Sequence, residues 1–168
     1  SEGRAYSGLL YAGLMVTDDG PKVLEYNVRF GDPECQVLMA RLATDVLDAF
    51  YAVACGEISK VNLSWLNQSA LVVVMASKGY PGPYDKGSEI KNISAAQEID
   101  DVTVFHAGTK FFANKVFSNG GRVLGVTALG NTIEDAQNKA YDAADVIDWP
   151  QGFCRRDIGW RALAKETY

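Results

Sequence analysis

Glu25, Asn27 and Arg29 place a carboxylate, an amide and a guanidinium at every second position of one short stretch. If residues 23–30 form a strand, side chains alternate between its two faces, so these three share a face at steps of roughly 6.5–7 Å. The opposite face carries Leu24, Tyr26, Val28 and Phe30 and would lie against a core. Glu and Asn oxygens are hard ligands suited to Mg²⁺ or Mn²⁺, ions that take few protein ligands and complete their shell with water and phosphate. An Arg beside them holds a carboxylate or a phosphate through its planar fork of donors. The trio reads as a place where a divalent metal, a phosphate chain and an anionic substrate meet. Strands with charged outer faces are also common without any site, so the trio alone leaves a solvated face as the alternative.

The next residues end the strand abruptly. In Gly31-Asp32-Pro33-Glu34, Asp32 is placed as an N-cap and Pro33 at the first helical position. Glu34 then falls in the first turn, where a carboxylate favours the positive end of the helix. Leu38, Leu42, Val46, Ala49, Phe50 and Val53 keep helical spacing, which predicts one helix stopped by Gly56, with Asp45 and Asp48 in solvent. Upstream, residues 8–16 read as an apolar strand. The turn cluster at 17–21 joins it to residues 22–30 as an antiparallel hairpin.

Residues 57–68 are polar and irregular, anchored by Trp65 and Leu66, and a domain boundary is placed there, giving segments 1–62 and 63–168. Residues 71–75 read as a buried strand and 78–83 as a Gly- and Pro-punctuated loop. Further strands are expected at 89–93, 102–107, 110–117 and 122–129. Asn131 or Thr132 caps a helix whose buried stripe is Ile133, Ala136, Ala140, Ala144 and Ile147, with Pro150 beyond its end. The tail 153–164 packs back on the sheet, tied by Arg155, Arg156 and Asp157. The fold class is α+β.

Two other places could carry chemistry. Gly120-Gly121-Arg122 is a tight turn whose backbone N–H groups and Arg could hold a ribose phosphate. The same glycines are also what a hairpin requires. His106 is the sole histidine and is read as a hydrogen-bonded core residue. No nucleophile–base pair is apparent.

Of 168 residues, 48% are hydrophobic and 22% charged, as in a globular protein, and the net charge of −5 argues against nonspecific nucleic-acid binding. Three cysteines without framework or metal spacing read as reduced thiols. The first residues do not resemble a signal peptide, and the apolar run 70–76 is too short to cross a bilayer. The expectation is a cytoplasmic protein with no membrane contact.

The runs Tyr11-Ala12-Gly13-Leu14-Met15, Gly20-Pro21-Lys22-Val23-Leu24-Glu25-Tyr26-Asn27 and Arg29-Phe30-Gly31-Asp32-Pro33-Glu34 closely resemble the glycinamide ribonucleotide synthetases, or phosphoribosylamine–glycine ligases, of the ATP-grasp superfamily. The likeness continues in order through residues 76–82, 106–109, 120–124 and 156–159. It implies the C-terminal part of an ATP-grasp core, antiparallel strands plus helix, in 1–62. A small antiparallel β half-barrel domain with a packing helix would follow in 63–168. It implies a ligase that joins glycine to 5-phosphoribosylamine with ATP through glycyl phosphate. Glu25 and Asn27 would hold the metal, Arg29 would be catalytic, and Gly120, Gly121 and Arg122 would bind substrate. It also implies that an N-terminal part with a mobile lid lies outside this chain. Many ATP-grasp enzymes carry a further metal-binding carboxylate on the preceding strand; residues 9–16 have none, and Asp18 and Asp19 fall in the turn. The rival readings are another ATP-grasp carboxylate–amine ligase and a non-catalytic binding module in the second domain. A biotinyl-type carrier needs a lysine at a Met-Lys-Met-like hairpin tip, and Lys110 and Lys115 have other neighbours.

Overall fold

A computed structural model describes residues 3–166, which are mixed helix and antiparallel sheet. The chain divides into two compact units, Ser1–Leu66 and Asn67–Tyr168.

In the first unit β1 (Tyr11–Thr17) and β2 (Gly20–Asn27) form an antiparallel hairpin around Asp18 and Asp19. The register slips between Gly13 and Leu14, which pair with Glu25 and Val23, so Leu24 is the extra residue of a bulge. β2 ends at Asn27, not at Phe30. Arg29 therefore leaves the ladder, and strand alternation no longer sets its direction. The expected burial of the apolar face is also not seen: Leu24, Tyr26 and Val28 are 64%, 61% and 69% exposed. A two-stranded sheet supplies no layer to cover its own faces.

The single helix expected after Gly31 is two helices, α1 (Glu34–Arg41) and α2 (Val46–Ala54). The cause is the segment that returns past the break. Leu66 N–H donates to Arg41 O at 2.8 Å, Ala43 N–H to Ser64 O at 3.0 Å, and Leu42 bridges Trp65. These bonds take backbone groups that a continuous helix would use internally. Asp45 then starts α2, its side chain accepting from Leu47 N–H at 2.8 Å, so this exposed residue is also a cap. α2 closes at Gly56, φ +72°, with Gly56 N–H on Val53 O and Glu57 N–H on Ala52 O, the paired bonds of a Schellman end. At α1 the expected cap is displaced by one residue. Pro33 takes the cap position without a side-chain bond, and Cys35 N–H is met by Gly31 O at 3.0 Å. A short 3₁₀ turn, Ile58–Lys60, lies in the region read as irregular. Because 64–66 pair with α1 and its exit, the division falls after Leu66, four residues later than the expected 62/63.

The second unit contains β3 (Ser69–Ser77), β4 (Glu89–Ile90), α3 (Ile93–Gln97), β5 (Val102–His106), β6 (Thr109–Phe112), β7 (Lys115–Ser118), β8 (Arg122–Gly130), α4 (Ile133–Val146), β9 (Gly152–Phe153) and α5 (Trp160–Glu166). One antiparallel sheet has the order β5-β8-β3-β9, and a second has β4-β7-β6. The strand expected at 89–93 is two residues long, because Asn92 turns into α3 with φ +62°. The strand expected at 110–117 is a hairpin, β6–β7. Ala113 and Asn114 take φ +49° and +60°, the two left-handed residues of a tight hairpin turn.

Thr132, not Asn131, caps α4, accepting from Asp135 N–H at 3.0 Å, while Asp135 accepts from Asn131 N–H at 3.0 Å. Ala136, Ala140 and Ala143 are fully buried against a core that includes Val73, Val123, Val126 and Ala128. A Cβ on Gly130 would collide with the Ala136 backbone, so the small residues set how closely α4 approaches β8. The tail packs back on the sheet, but of the three residues expected to tie it only the Arg156 side chain reaches out of the tail, to Asp145 of α4, while Arg155 and Asp157 pair with each other. β9 pairs with β3, Tyr141 Oη donates to Arg155 O at 2.8 Å and accepts from Ile158 N–H at 3.0 Å, and Arg156 pairs with Asp145 over the Tyr141 ring.

Ala140→Leu is expected to destabilise by about 1–3 kcal/mol through overpacking. Asn138→Leu on the exposed side of α4 should stay within roughly 0.5 kcal/mol. Urea unfolding of both variants checks this.

Candidate functional site

The bulged hairpin brings two of the three expected site residues into contact. Asn27 Nδ2 donates to Glu25 Oε1 at 3.0 Å. Both project at the end of β2, with Glu25 exposed and Asn27 half-buried. The space for Glu25 is provided across the ladder by Gly13, where a Cβ would sit 3.1 Å from Glu25 Cγ. Arg29 is placed differently. Its Nη1 donates to Phe30 O at 2.8 Å, and the side chain lies at the rim of an open apolar cleft of about 970 Å³ lined also by Phe30, Leu38, Phe50 and Trp65.

Two residues outside the expected trio join this cluster. Tyr11 pairs with Asn27 in the ladder, and its hydroxyl donates to Glu34 Oε1 at 3.2 Å. Glu34 folds back over Gly31, where any Cβ would collide with its carboxylate. The Glu34 charge is the main reason the Tyr11 phenol is raised above its ordinary value; burial and Glu25 push the same way, and Arg29 opposes them. The sequence signals for these residues are weak on their own: a Gly opposite a carboxylate and a Gly three residues before one.

The donor set suits a Mg²⁺- or Mn²⁺-like ion. A carboxylate and an amide lie side by side, with the amide nitrogen toward Glu25; a half-turn of the Asn27 amide would set its oxygen beside the carboxylate, a pair that matches an ion leaving the rest of its shell to water and phosphate. Among the described residues no group of three or more His, Cys, Asp or Glu forms a protein-only cage.

Gly120, Gly121 and Arg122 lie in the second unit. Ser77 Oγ donates to Gly120 O at 2.9 Å, and Ser77 N–H donates to Gly121 O at 2.8 Å. A Cβ on Gly120 would stand 3.0 Å from Gly108 Cα, and one on Gly121 would collide with the Tyr80 ring. Close packing of backbone on backbone and on an aromatic ring thus accounts for both glycines. Arg122 begins β8 with an exposed side chain. His106 is exposed, not buried, because β5 lies at the edge of its sheet; its Nδ1 is 3.0 Å from Thr109 Oγ1. The tip of the β6–β7 hairpin is Ala113-Asn114, and Lys115 is paired with Glu89 at 3.1 Å. No lysine stands at that tip as a carrier would need.

Residues 70–161, more than half of the chain, match the family model described as phosphoribosylglycinamide synthetase, C domain. The chain belongs to the phosphoribosylglycinamide synthetase family. Residues 1–35 match the model of the same family's ATP-grasp (A) domain. A phosphoribosylamine–glycine ligase of Agrobacterium fabrum is 54% identical over 165 residues, covering 98% of this chain and 38% of the relative. The chloroplastic phosphoribosylamine–glycine ligase of Arabidopsis thaliana is 53% identical, with 98% and 32% covered. The crystal structure of phosphoribosylamine–glycine ligase from Thermotoga maritima superposes with a TM-score of 0.79 at 36% identity, over 93% of this chain and 38% of that one. The chain thus spans less than two fifths of the length of these relatives.

The Tyr11 phenol is expected to titrate above the ordinary value of about 10. A raised value favours the neutral form, so its contribution to stability is complete below the unfolded value and is lost as pH rises through the folded one. Glu34→Gln removes the largest cause and should bring the titration down. Ring-carbon NMR of labelled tyrosine, assigned with Tyr11→Phe, measures both.

Proposed function

We propose that the full-length form of this protein is an ATP-dependent phosphoribosylamine–glycine ligase of purine biosynthesis, and that the β1–β2 hairpin supplies part of its catalytic centre. The observation that carries this reading is the Glu25–Asn27 contact on a hairpin whose sequence matches the family's ATP-grasp (A) domain. Support also comes from the names of relatives about half identical over nearly the whole chain. In this reading the first unit is the C-terminal part of an ATP-grasp core. The second is the family's C-terminal domain, with its two sheets forming a half-barrel. The rest of the relatives' length would supply the remaining walls of the site and cover the apolar face of the hairpin. The protein would work in the cytoplasm; among the described residues no helix is long and apolar enough to cross a membrane.

The chemistry proposed for these residues is positioning and charge neutralisation. Glycine's carboxylate oxygen attacks the γ-phosphorus of ATP, the bond to the β–γ bridging oxygen breaks, and ADP leaves. The amine of 5-phosphoribosylamine then attacks the carbonyl carbon of glycyl phosphate. Phosphate departs, and the nitrogen loses a proton to solvent, giving glycinamide ribonucleotide. Glu25 and Asn27 would hold Mg²⁺ or Mn²⁺, which when bound offsets the negative charge of the ATP phosphates. Arg29 would hold the glycine carboxylate and then the acyl phosphate, for which its planar fork is suited. Arg122 would contact the ribose phosphate as a side chain, with Gly120 and Gly121 shaping the turn that presents it.

Glu25→Gln in the full-length enzyme keeps the shape and removes the charge. Turnover should fall about two to three orders of magnitude, equivalent to roughly 3–4 kcal/mol, with partial recovery at high Mg²⁺. Steady-state assays with ATP, glycine and phosphoribosylamine test this; near wild-type turnover with an unshifted Mg²⁺ dependence would sink the metal assignment. Arg122→Ala should raise KM for phosphoribosylamine and leave KM for ATP unchanged. Unaltered kinetics in a less stable protein would make Arg122 structural.

A further inference from the structure

We propose that Tyr11 and Glu34 form a latch that fixes the segment 28–33 and thereby positions Arg29. The inference rests on the ligase reading above. β2 ends at Asn27 and α1 begins at Glu34, so Arg29 sits on a six-residue connection that leaves the ladder at one end and is tied to α1 at the other by the bond from Cys35 N–H to Gly31 O at 3.0 Å. The two ends of this segment meet through one side chain. Tyr11 is the ladder partner of Asn27, the last residue before the segment, and its hydroxyl donates to Glu34, the first residue after it, at 3.2 Å. The bond therefore closes the loop on itself, a constraint that shortens the range of conformations open to the residues inside it.

Two further observations fit a built latch. Gly31 is buried, and its lack of a Cβ leaves the space into which the Glu34 carboxylate folds. Inside the closed segment, Arg29 Nη1 is held by Phe30 O at 2.8 Å, and the Phe30 ring meets the Phe50 ring of α2 at 6.3 Å between centroids. Arg29 is thus hung from a loop whose ends are set by Tyr11 and Glu34 and whose middle is set by an aromatic contact. Glu34 is a positioning residue in this scheme and touches no reacting atom.

The test is a double-mutant cycle in the full-length enzyme, with KM for glycine, KM for ATP and kcat measured for each variant. Tyr11→Phe and Glu34→Ala should each raise KM for glycine about tenfold, the scale of one lost hydrogen bond to a charged group, with KM for ATP unchanged. The double variant should be no worse than either single, because both remove the same bond. Gly31→Ala, which displaces the carboxylate and leaves both partners in place, should match Tyr11→Phe. Glu34→Gln still offers an amide oxygen to the Tyr11 hydroxyl and should retain most of the wild-type KM for glycine. Additive losses in the double variant would overturn the latch. So would a Glu34→Gln enzyme as impaired as Glu34→Ala, since the charge would then act directly on a ligand. A fall in Tm with all kinetic constants unchanged would reduce the contact to a purely structural one and also overturn it. Failure of the ligase reading shows separately, as a wild-type full-length protein that forms no glycinamide ribonucleotide from ATP, glycine and phosphoribosylamine.

Discussion

The pairing of β3 with β8 is the interaction on which the second unit depends. Nine residues of each strand run antiparallel down the middle of its larger sheet, and every other element of that sheet attaches to one of the two. β5 adds to the free edge of β8, β9 adds to β3, and α4 lies across both. The helix can lie close because its contact residues are alanines and because Gly130, at the end of β8, has no side chain to hold it off. Burial is nearly complete along β8, where residues 123–128 are all buried. A strand covered on both faces in this way reads in sequence as a largely apolar run, here Val123-Leu124-Gly125-Val126-Thr127-Ala128.

The first unit is organised by a different constraint, the fit of carboxylates against glycines. Glu25 lies across from Gly13, and Glu34 lies over Gly31. In both cases a charged side chain takes space that a Cβ would occupy, and in both the carboxylate gains a neighbouring donor, Asn27 or Tyr11. The unit buries few apolar side chains of its own, with Ala49 and Ala52 inside and most of the hairpin's large residues in solvent. Its polar cluster is therefore held by hydrogen bonds and backbone pairing more than by packing. That arrangement suits groups that must meet ionic ligands, since charged side chains stay partly hydrated until a ligand replaces the water.

Much of the chain could be read from residues alone. The β1–β2 hairpin, the strand at the centre of the second unit, the cap and alanine stripe of α4, and the stop at Gly56 each rest on local rules: turn residues, apolar period, an oxygen at the helix start and a left-handed Gly. Likewise the Glu25–Asn27 contact follows from the two-residue period of a strand and needs no knowledge of the rest of the molecule. Where two local rules competed, the sequence left the matter open. The 110–117 run satisfies strand propensity throughout and is expected as one strand, yet Ala113 and Asn114 turn it back, and β7 pairs with β6 on one side and β4 on the other.

What the tertiary structure decided was set by segments far apart in the chain. An unbulged hairpin turning at Asp18-Asp19 would put Leu24 opposite Gly13 and Glu25 opposite Ala12. The bulge moves Glu25 to Gly13 and Asn27 to Tyr11, and with it the whole site. The helix break at 42–45 depends on backbone bonds from residues 64–66, which no helical period in α1 or α2 records. The Tyr11–Glu34 bond joins residues 23 positions apart. The sequence by itself offered a carboxylate, an amide and a guanidinium as candidate ligand groups, because that follows from residue type, and strand period brought only Glu25 and Asn27 together. The partners and reach of those side chains came from register and from passing segments, because backbone hydrogen bonds form between whichever chains lie alongside and carry no label of sequence distance.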